Sequence, residues 1–363
     1  MYTKINRYSA SETMLNSRIV KKDIDDLVSR FPFINELKGK TVAVTGATGL
    51  IGSLLIRFLI EIRESCGIEV RVIGIARNAE KVKNNFSDPK LIWFTDVNLE
   101  EGKLPDIGDV DFMLHCASPT ASNYFVTHPV ETYLTSIQGT NAILEYARSH
   151  SVKSIVYLSS LEYYGVVEEE RDIYERDFGR IDPYDVRSSY SLGKRLAESL
   201  CFAYFKEYDV PVKVARLTQV FGAGISPSDN RVFAQFARSA IRGETIELHT
   251  EGKSAKPYSH TMDTLEAIFY LLFKGKNGEA YNVANPDTYT NIRKFAEMVQ
   301  LEFNPSKGVE VKLDSSRGYA PDTKLKLNVD KLKSLGWLPH KNLKEMMADL
   351  IEYLKETQTV FPK

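Results

Sequence analysis

The stretch TVAVTGATGLIG, residues 41–52, decides the fold of this 363-residue chain. Its first five residues are apolar or β-branched and read as a short buried strand, and Leu50–Ser65 continues as a helix. Between them Gly46, Gly49 and Gly52 form a GxxGxxG array. The first glycine permits a tight turn, and the second lets the backbone approach a diphosphate. The third allows the helix to pack closely on the strand, with the helix N-terminus facing the phosphates. Such an array gains its meaning from joining a first strand to its helix, and here it does.

Working outward from that turn, strands and amphipathic helices alternate. VRVIGIA (70–76), LIWFTDV (91–97), DFMLHCA (111–117), SIVYLSS (154–160) and VKVARL (212–217) read as strands. Residues 129–150 and 190–208 read as long helices. Near-continuous apolar strands separated by helices predict an α/β fold, a Rossmann-type doubly wound parallel sheet, over residues 39–218. Ahead of it, Ile24, Leu27, Val28 and Phe31 fall at helical spacing. Residues 1–38 are therefore expected to be a helical extension used for packing or dimer contact. After Gln219 the pattern loosens into the loop GAGISPSDN (222–230), a helix at 231–242, a short strand near 246–249, a helix around 262–273 and a mixed region. Residues 219–363 are expected to be mostly a smaller C-terminal α/β substrate-binding domain, with some segments returning to the first.

Composition narrows the function classes. Forty-seven basic residues against 48 acidic ones leave no basic footprint for nucleic acid. Cys66, Cys116 and Cys201 are widely spaced without a metal-binding pattern, so free thiols in a reducing cytoplasm are expected, and no metal. The first residues, MYTKINRYSASET, carry no apolar signal core, and no run approaches a membrane span.

The glycine turn points to a nicotinamide dinucleotide, lined by Gly46, Thr48, Gly49, Leu50, Ile51 and Gly52. A site selective for NAD usually closes its second strand with a carboxylate for the ribose 2′-hydroxyl. Here that strand ends Gly74-Ile75-Ala76-Arg77. Arg77 can pair with a 2′-phosphate, which leans the choice within NAD(P) towards NADP. Asp96 and Val97, after the third strand, suit an adenine contact.

Tyr190 and Lys194 stand four apart on a predicted helix and share a face. A nearby ammonium favours the phenolate, so Tyr190 can take a proton from a substrate hydroxyl as that carbon is oxidised. Lys194 also suits the nicotinamide ribose. At the end of the fifth strand lies SSLEYYG (159–165). Ser160 can hold the reacting oxygen, and Glu162, if the strand continues, points the same way and can move a carbon-bound proton.

Taken together, Gly46/Gly49/Gly52, His115-Cys116-Ala117-Ser118, Ser159-Ser160, Tyr164-Gly165 and Tyr190/Lys194 resemble the NAD-dependent epimerase/dehydratase family of extended short-chain dehydrogenases/reductases, over residues 40 to 300 or so. The resemblance implies a tightly held cofactor contacted by Cys116, Ala117 and Ser118, a nucleotide-sugar substrate, transient oxidation of the sugar to a ketone, and commonly a homodimer. Locally, Ala117-Ser118-Pro119 with Tyr124 and His128-Pro129, and RSSYSLGKRLAESLCFAYF (187–205), look like UDP-glucuronate decarboxylases. That branch has Thr-Ser-Glu where this chain has Ser160-Leu161-Glu162, and an arginine where it has Lys256. A lysine supplies charge without the bidentate fork suited to a carboxylate. The branch's phosphate-contacting asparagine is matched by Gln219, and another on the long helix by Ser136. Leu161 also removes the acid that dehydratases of the family use. Ser118, Tyr124, Ser160, Gln219, Asn230, Arg231 and Lys256 are the expected substrate contacts.

These readings point first to an epimerase, or related redox isomerase, of a nucleotide-activated sugar, in a polysaccharide pathway. A decarboxylase of a nucleotide uronic acid and a net NADPH-dependent reductase of a nucleotide-linked keto sugar or alditol are the alternatives. A non-catalytic dinucleotide-binding regulator is a different class, against which the Ser160/Tyr190/Lys194 set speaks.

Overall fold

The computed structural model describes residues 17–77, 92–167, 169–314 and 322–360; the N-terminal MYTKINRYSASET lies outside them. The strands read from the sequence are present as β1 (Lys40–Thr45), β2 (Val70–Ala76), β3 (Ile92–Asp96), β4 (Phe112–His115), β5 (Ser154–Ser160) and β7 (Val212–Leu217), with an unexpected two-residue β6 (Asp172–Ile173) before the last. The first helices are α1 (Arg18–Arg30), α2 (Leu50–Cys66), α3 (Ser122–Thr127), α4 (Pro129–Ser149) and α5 (Ser188–Tyr208). After β7 come β8 (Gln219–Phe221), α6 (Val232–Arg242), β9 (Ile246–Leu248), β10 (Ala255–His260), α7 (Thr261–Lys274), β11 (Glu279–Val283), β12 (Asn285–Asn291) and α8 (Ile292–Phe303). The chain ends with β13 (Val309–Val311), β14 (Lys326–Leu327), α9 (Asp330–Lys333) and α10 (Leu343–Val360).

Seven strands form the central sheet in the order β11-β7-β5-β4-β1-β2-β3. Every pairing in it is parallel. The order reverses between β1 and β4, and that switch point opens a crevice at the carboxyl ends of the strands. The strands are largely apolar because both faces are covered. Val42, Val44, Val72, Leu114 and Val156 point into one core with α2 and α7. Ala43, Ile73, Met113, Ile155 and Val212 point into the other, with α4 and α5.

Two features make the sequence reading specific. Residues 279–283, which fell in the mixed region, form the sheet's seventh strand beside β7. The amphipathic N-terminal helix is fully built into the body: Ile19, Val20, Ile24 and Leu27 are buried. Phe31 then meets Phe58 edge-on at 4.9 Å and Phe269 at 5.1 Å. Two buried charged groups anchor the extension. Asp23 gathers with His260 and Asp349 around Lys341, whose Nζ lies 2.9 Å from Asp23. Arg30 pairs with Glu266 at 2.7 Å beside Asp263 and His340.

The remaining strands make small sheets, β12-β10-β8, β13-β9 and β14-β6, beside the carboxyl ends of the main sheet. No helix among the described residues is long and apolar enough to cross a membrane.

Candidate active site

The glycine turn is a backbone cradle. Gly46 adopts φ +65°, and a Cβ there would lie 2.9 Å from the Ala117 amide nitrogen. A Cβ on Gly52 would stand 2.3 Å from the Gly46 carbonyl oxygen, so α2 meets the turn backbone to backbone. Gly49 caps α2, and its amide donates to Gly46 O at 2.9 Å. No side chain caps this helix, which leaves its first amides for an anion. Thr48 is exposed at the tip, with Leu50 and Ile51 half-buried behind it. Bare backbone, a glycine that admits no side chain and a free helix N-terminus fit the diphosphate of a dinucleotide.

Beside the turn, β4 ends at His115, whose ring bridges Thr45 Oγ1 at 2.7 Å and Thr140 Oγ1 at 3.2 Å. Thr45 Oγ1 in turn accepts from the Ala117 amide at 3.1 Å, which fixes Cys116–Ala117 over the cradle. Burial, with the Lys194 charge adding, drives the His115 pKa down to about 3, so the ring is a neutral strut. Burial likewise pushes the Cys116 thiol up, away from nucleophilic use. Val97 is buried and its amide donates to Ala76 O at 2.9 Å. The side chain of Asp96 lies outside the described residues. Arg77 is not free: its Nη1 stands 3.6 Å from Glu100 Oε1.

Four residues singled out from the sequence meet at the end of β5. Lys194 Nζ donates to Leu158 O at 2.7 Å, and lies 4.8 Å from the Tyr157 ring and 5.7 Å from the Tyr190 ring. Burial lowers the Lys194 pKa to about 8, with the Glu198 carboxylate opposing that fall. Tyr190 stacks on Phe125 with centroids 4.3 Å apart. Its burial, reinforced by the Glu162 charge, raises the phenol above its ordinary range; the nearby Ser160 hydroxyl and the Arg231 charge pull the other way.

Glu162 reaches this group by a route the sequence did not suggest. The strand stops at Ser160, and a 3-10 turn, Leu161–Tyr164, follows. Ser160 Oγ caps that turn by accepting from the Glu162 amide at 3.2 Å. The Glu162 carboxylate accepts from Ser191 Oγ at 3.2 Å and faces Arg187 at 4.0 Å. Lys256 is within its field too: burial lowers the Lys256 pKa, Glu162 raises it and Arg187 lowers it. A carboxylate that faces Arg187 and acts on Lys256 therefore adjoins the Ser160–Tyr190 pair.

The other expected contacts are more scattered. Arg231 is held by Asp229 in a two-pronged pair and lies 4.7 Å from the Phe233 ring, yet its charge reaches Tyr190. Gln219 Oε1 is buried without a hydrogen-bond partner, on a strand paired with β10, which carries Lys256. Tyr124 stacks on His128 at 4.6 Å, and Ser118 Oγ donates to Pro119 O at 3.3 Å. Asn230 is exposed, and no side-chain contact among the described residues ties it to the centre.

Beneath the site lies a network that sequence reasoning missed. Glu198 and Arg216 form a fully buried pair at 2.7 Å, with Arg216 Nε bonded to both carboxylate oxygens. Ser159 Oγ donates to Glu198. Arg216 also bonds Tyr164 OH at 3.0 Å and stacks 3.4 Å from the Tyr163 ring centroid. Arg195 clamps the same turn through the carbonyls of Tyr163 and Tyr164. These contacts tie α5, the end of β5 and the turn bearing Glu162 into one rigid body. The available signal was spacing: Glu198 sits four residues after Lys194 and eight after Tyr190, on the same helical face.

Comparison with known proteins agrees with this layout. The profile described as the NAD dependent epimerase/dehydratase family matches residues 42–284. UDP-glucuronic acid decarboxylase 2 of Arabidopsis thaliana is 28% identical over 333 residues, covering 90% of this chain and 71% of that protein. UDP-glucuronic acid decarboxylase 1 of Danio rerio is 27% identical, covering 88% and 74%. Among solved structures, a UDP-glucose 4-epimerase of Thermotoga maritima with UDP-glucose superposes with TM-score 0.75 at 23% identity, covering 87% of this chain and 99% of that one. A dTDP-glucose 4,6-dehydratase of Bacillus anthracis in complex with NAD gives 0.73 at 20% identity, covering 88% and 98%.

Proposed function

Because the chain belongs to the NAD-dependent epimerase/dehydratase family, which residues 42–284 match, we propose that it is an NAD(P)-dependent epimerase, or related redox isomerase, of a nucleotide-activated sugar. The observation that carries this reading is the meeting of Ser160, Glu162, Tyr190 and Lys194 at the end of β5, beside a backbone cradle suited to a dinucleotide. Gly46–Gly52 and Cys116–Ser118 would hold the dinucleotide, whose chemistry would be that of a reversible hydride acceptor.

Tyr190 takes the hydroxyl proton of the carbon being oxidised, and Ser160 holds that oxygen. Without the cofactor's positive charge, burial keeps the phenol protonated; Lys194, within 5.7 Å of the ring, supplies the local charge that favours phenolate. Glu162 moves the proton on carbon next to the new ketone. Arg231, Lys256 and Gln219 receive the nucleotide's phosphates and the sugar. Ser118, Tyr124 and Asn230 complete the contacts.

A second reading, decarboxylation of a nucleotide uronic acid, is favoured by Arg187 and Lys256 beside Glu162. The UDP-glucuronic acid decarboxylases align along 84–90% of the chain, which supports it as well. In either case we place the protein in the cytoplasm, as a homodimer through α4 and α5, where Val130 and Leu196 are exposed.

Incubating the enzyme and NAD(P) with UDP-, dTDP-, GDP- and CDP-sugars, followed by mass spectrometry and chromatography, tests the proposal. An isomer of unchanged mass establishes the epimerase. Loss of carbon dioxide from a uronic acid moves the assignment to the second reading, and an unchanged panel refutes both.

A further inference from the structure

The end of β2 carries no carboxylate, but one stands beside it. Arg77 follows Ala76 and reaches Glu100, with Nη1 3.6 Å from Oε1. Glu100 lies on the 3-10 turn Leu99–Glu101 that follows β3. It is held from a second direction, since Thr135 Oγ1 of α4 donates to the same Oε1 at 2.9 Å. The Glu100 amide donates to Asn98 Oδ1 at 3.3 Å, and the bond from Val97 to Ala76 ties this turn to the end of β2. The carboxylate is thus fixed and only 22% exposed, while the guanidinium is 72% exposed.

We infer that the Glu100–Arg77 pair makes this chain select the dinucleotide without a 2′-phosphate, with Glu100 supplying from the turn after β3 the negative charge that β2 lacks. The inference rests on the dinucleotide reading of the cradle. In a doubly wound sheet the adenosine ribose lies at the end of β2. A 2′-phosphate arriving there carries close to two negative charges. To use Arg77 it must take the guanidinium from Glu100, and it then faces that carboxylate directly. A ribose hydroxyl meets neither opposition and can itself donate to a carboxylate. Arg77 read alone leans towards NADP; read with its partner, it leans away.

The test uses full-length protein freed of nucleotide, with dissociation constants for NAD and NADP measured by calorimetry at low salt. Wild type should bind NAD more tightly than NADP. Glu100→Gln should tighten NADP by about three- to ten-fold, the scale of one partly exposed charge contact, and leave NAD little changed. Adding Arg77→Gln should abolish that gain, since the liberated guanidinium is what the phosphate uses. Wild type preferring NADP, or a NAD/NADP ratio unmoved by Glu100→Gln, overturns the inference while the cradle stands. Binding of neither dinucleotide overturns the cradle reading and the inference together.

Discussion

The Lys194 ammonium is anchored 2.7 Å from the carbonyl oxygen of Leu158, on the strand that ends in Ser160. This bond joins the helix bearing Tyr190 to the strand end that faces it, alongside the contacts of Glu198 with Ser159 and of Arg195 with the turn. Lys194 is buried, and its one hydrogen bond among the described residues, to Leu158 O, uses one of the three donors of the ammonium.

Tyr190→Phe removes the hydroxyl and keeps the ring that stacks on Phe125. Turnover should fall by about two to four orders of magnitude, with dinucleotide affinity and thermal stability near wild type. Steady-state kinetics beside a melting curve decide this, and a variant of near wild-type activity removes Tyr190 from the chemistry.

Glu162→Gln separates the two proton transfers assigned to the site. In heavy water the wild-type product should gain deuterium on carbon, and the variant should not, while Tyr190 still supports oxidation. Equal deuterium uptake in both proteins assigns Glu162 to binding alone.

The Glu198–Arg216 pair is buried at both ends, so breaking it from one side leaves an uncompensated charge. Glu198→Gln and Arg216→Met should each destabilise by about 3–5 kcal/mol, and the double variant by less than their sum. Denaturant titration of the three proteins is the check; strict additivity would mean that the two side chains act independently.

How much of this was legible beforehand differed by element. β2, β5 and β7 matched their predicted bounds because continuous apolar runs have one good environment, a parallel sheet covered on both faces. β11 was hidden because Asn282 is buried within it, holding Ile173 O and Asn328 O and accepting from Tyr164. A polar residue whose partners lie far off in sequence breaks the apolar pattern. Tyr190 and Lys194 were readable from a four-residue interval on one helix. The turn that brings Glu162 to them was not, since it depends on Ser160 capping the turn and on Arg195 and Arg216 gripping it from other elements. Arg77 stood out at the end of its strand and Glu100 did not, because their pairing is a tertiary fact.

Glu266 gives the fold a pH dependence. Burial raises its pKa from 4.5 to about 7, against the pull of Arg30. A carboxyl raised in the folded state contributes stability in full below its unfolded pKa, and that contribution is lost as pH climbs through about 7. Glu266→Gln keeps an oxygen for Arg30 and cannot ionise. Between pH 5 and pH 8, roughly spanning that window, the melting temperature of wild type should therefore fall relative to the variant by a few degrees. Parallel curves would show that Glu266 keeps its ordinary pKa in the folded protein.

The central claim is that a sugar is oxidised and the hydride given back within one active-site visit. The direct measurement follows product formation by chromatography and reduced-nicotinamide absorbance together, over many turnovers, with the nucleotide sugar that the panel identifies. The account predicts product far in excess of enzyme with no accumulation of reduced cofactor, and in Tyr190→Phe the same absence of reduced cofactor with product slowed by about two to four orders of magnitude. Reduced or oxidised dinucleotide accumulating in step with product would contradict it and make the enzyme a net dehydrogenase or reductase.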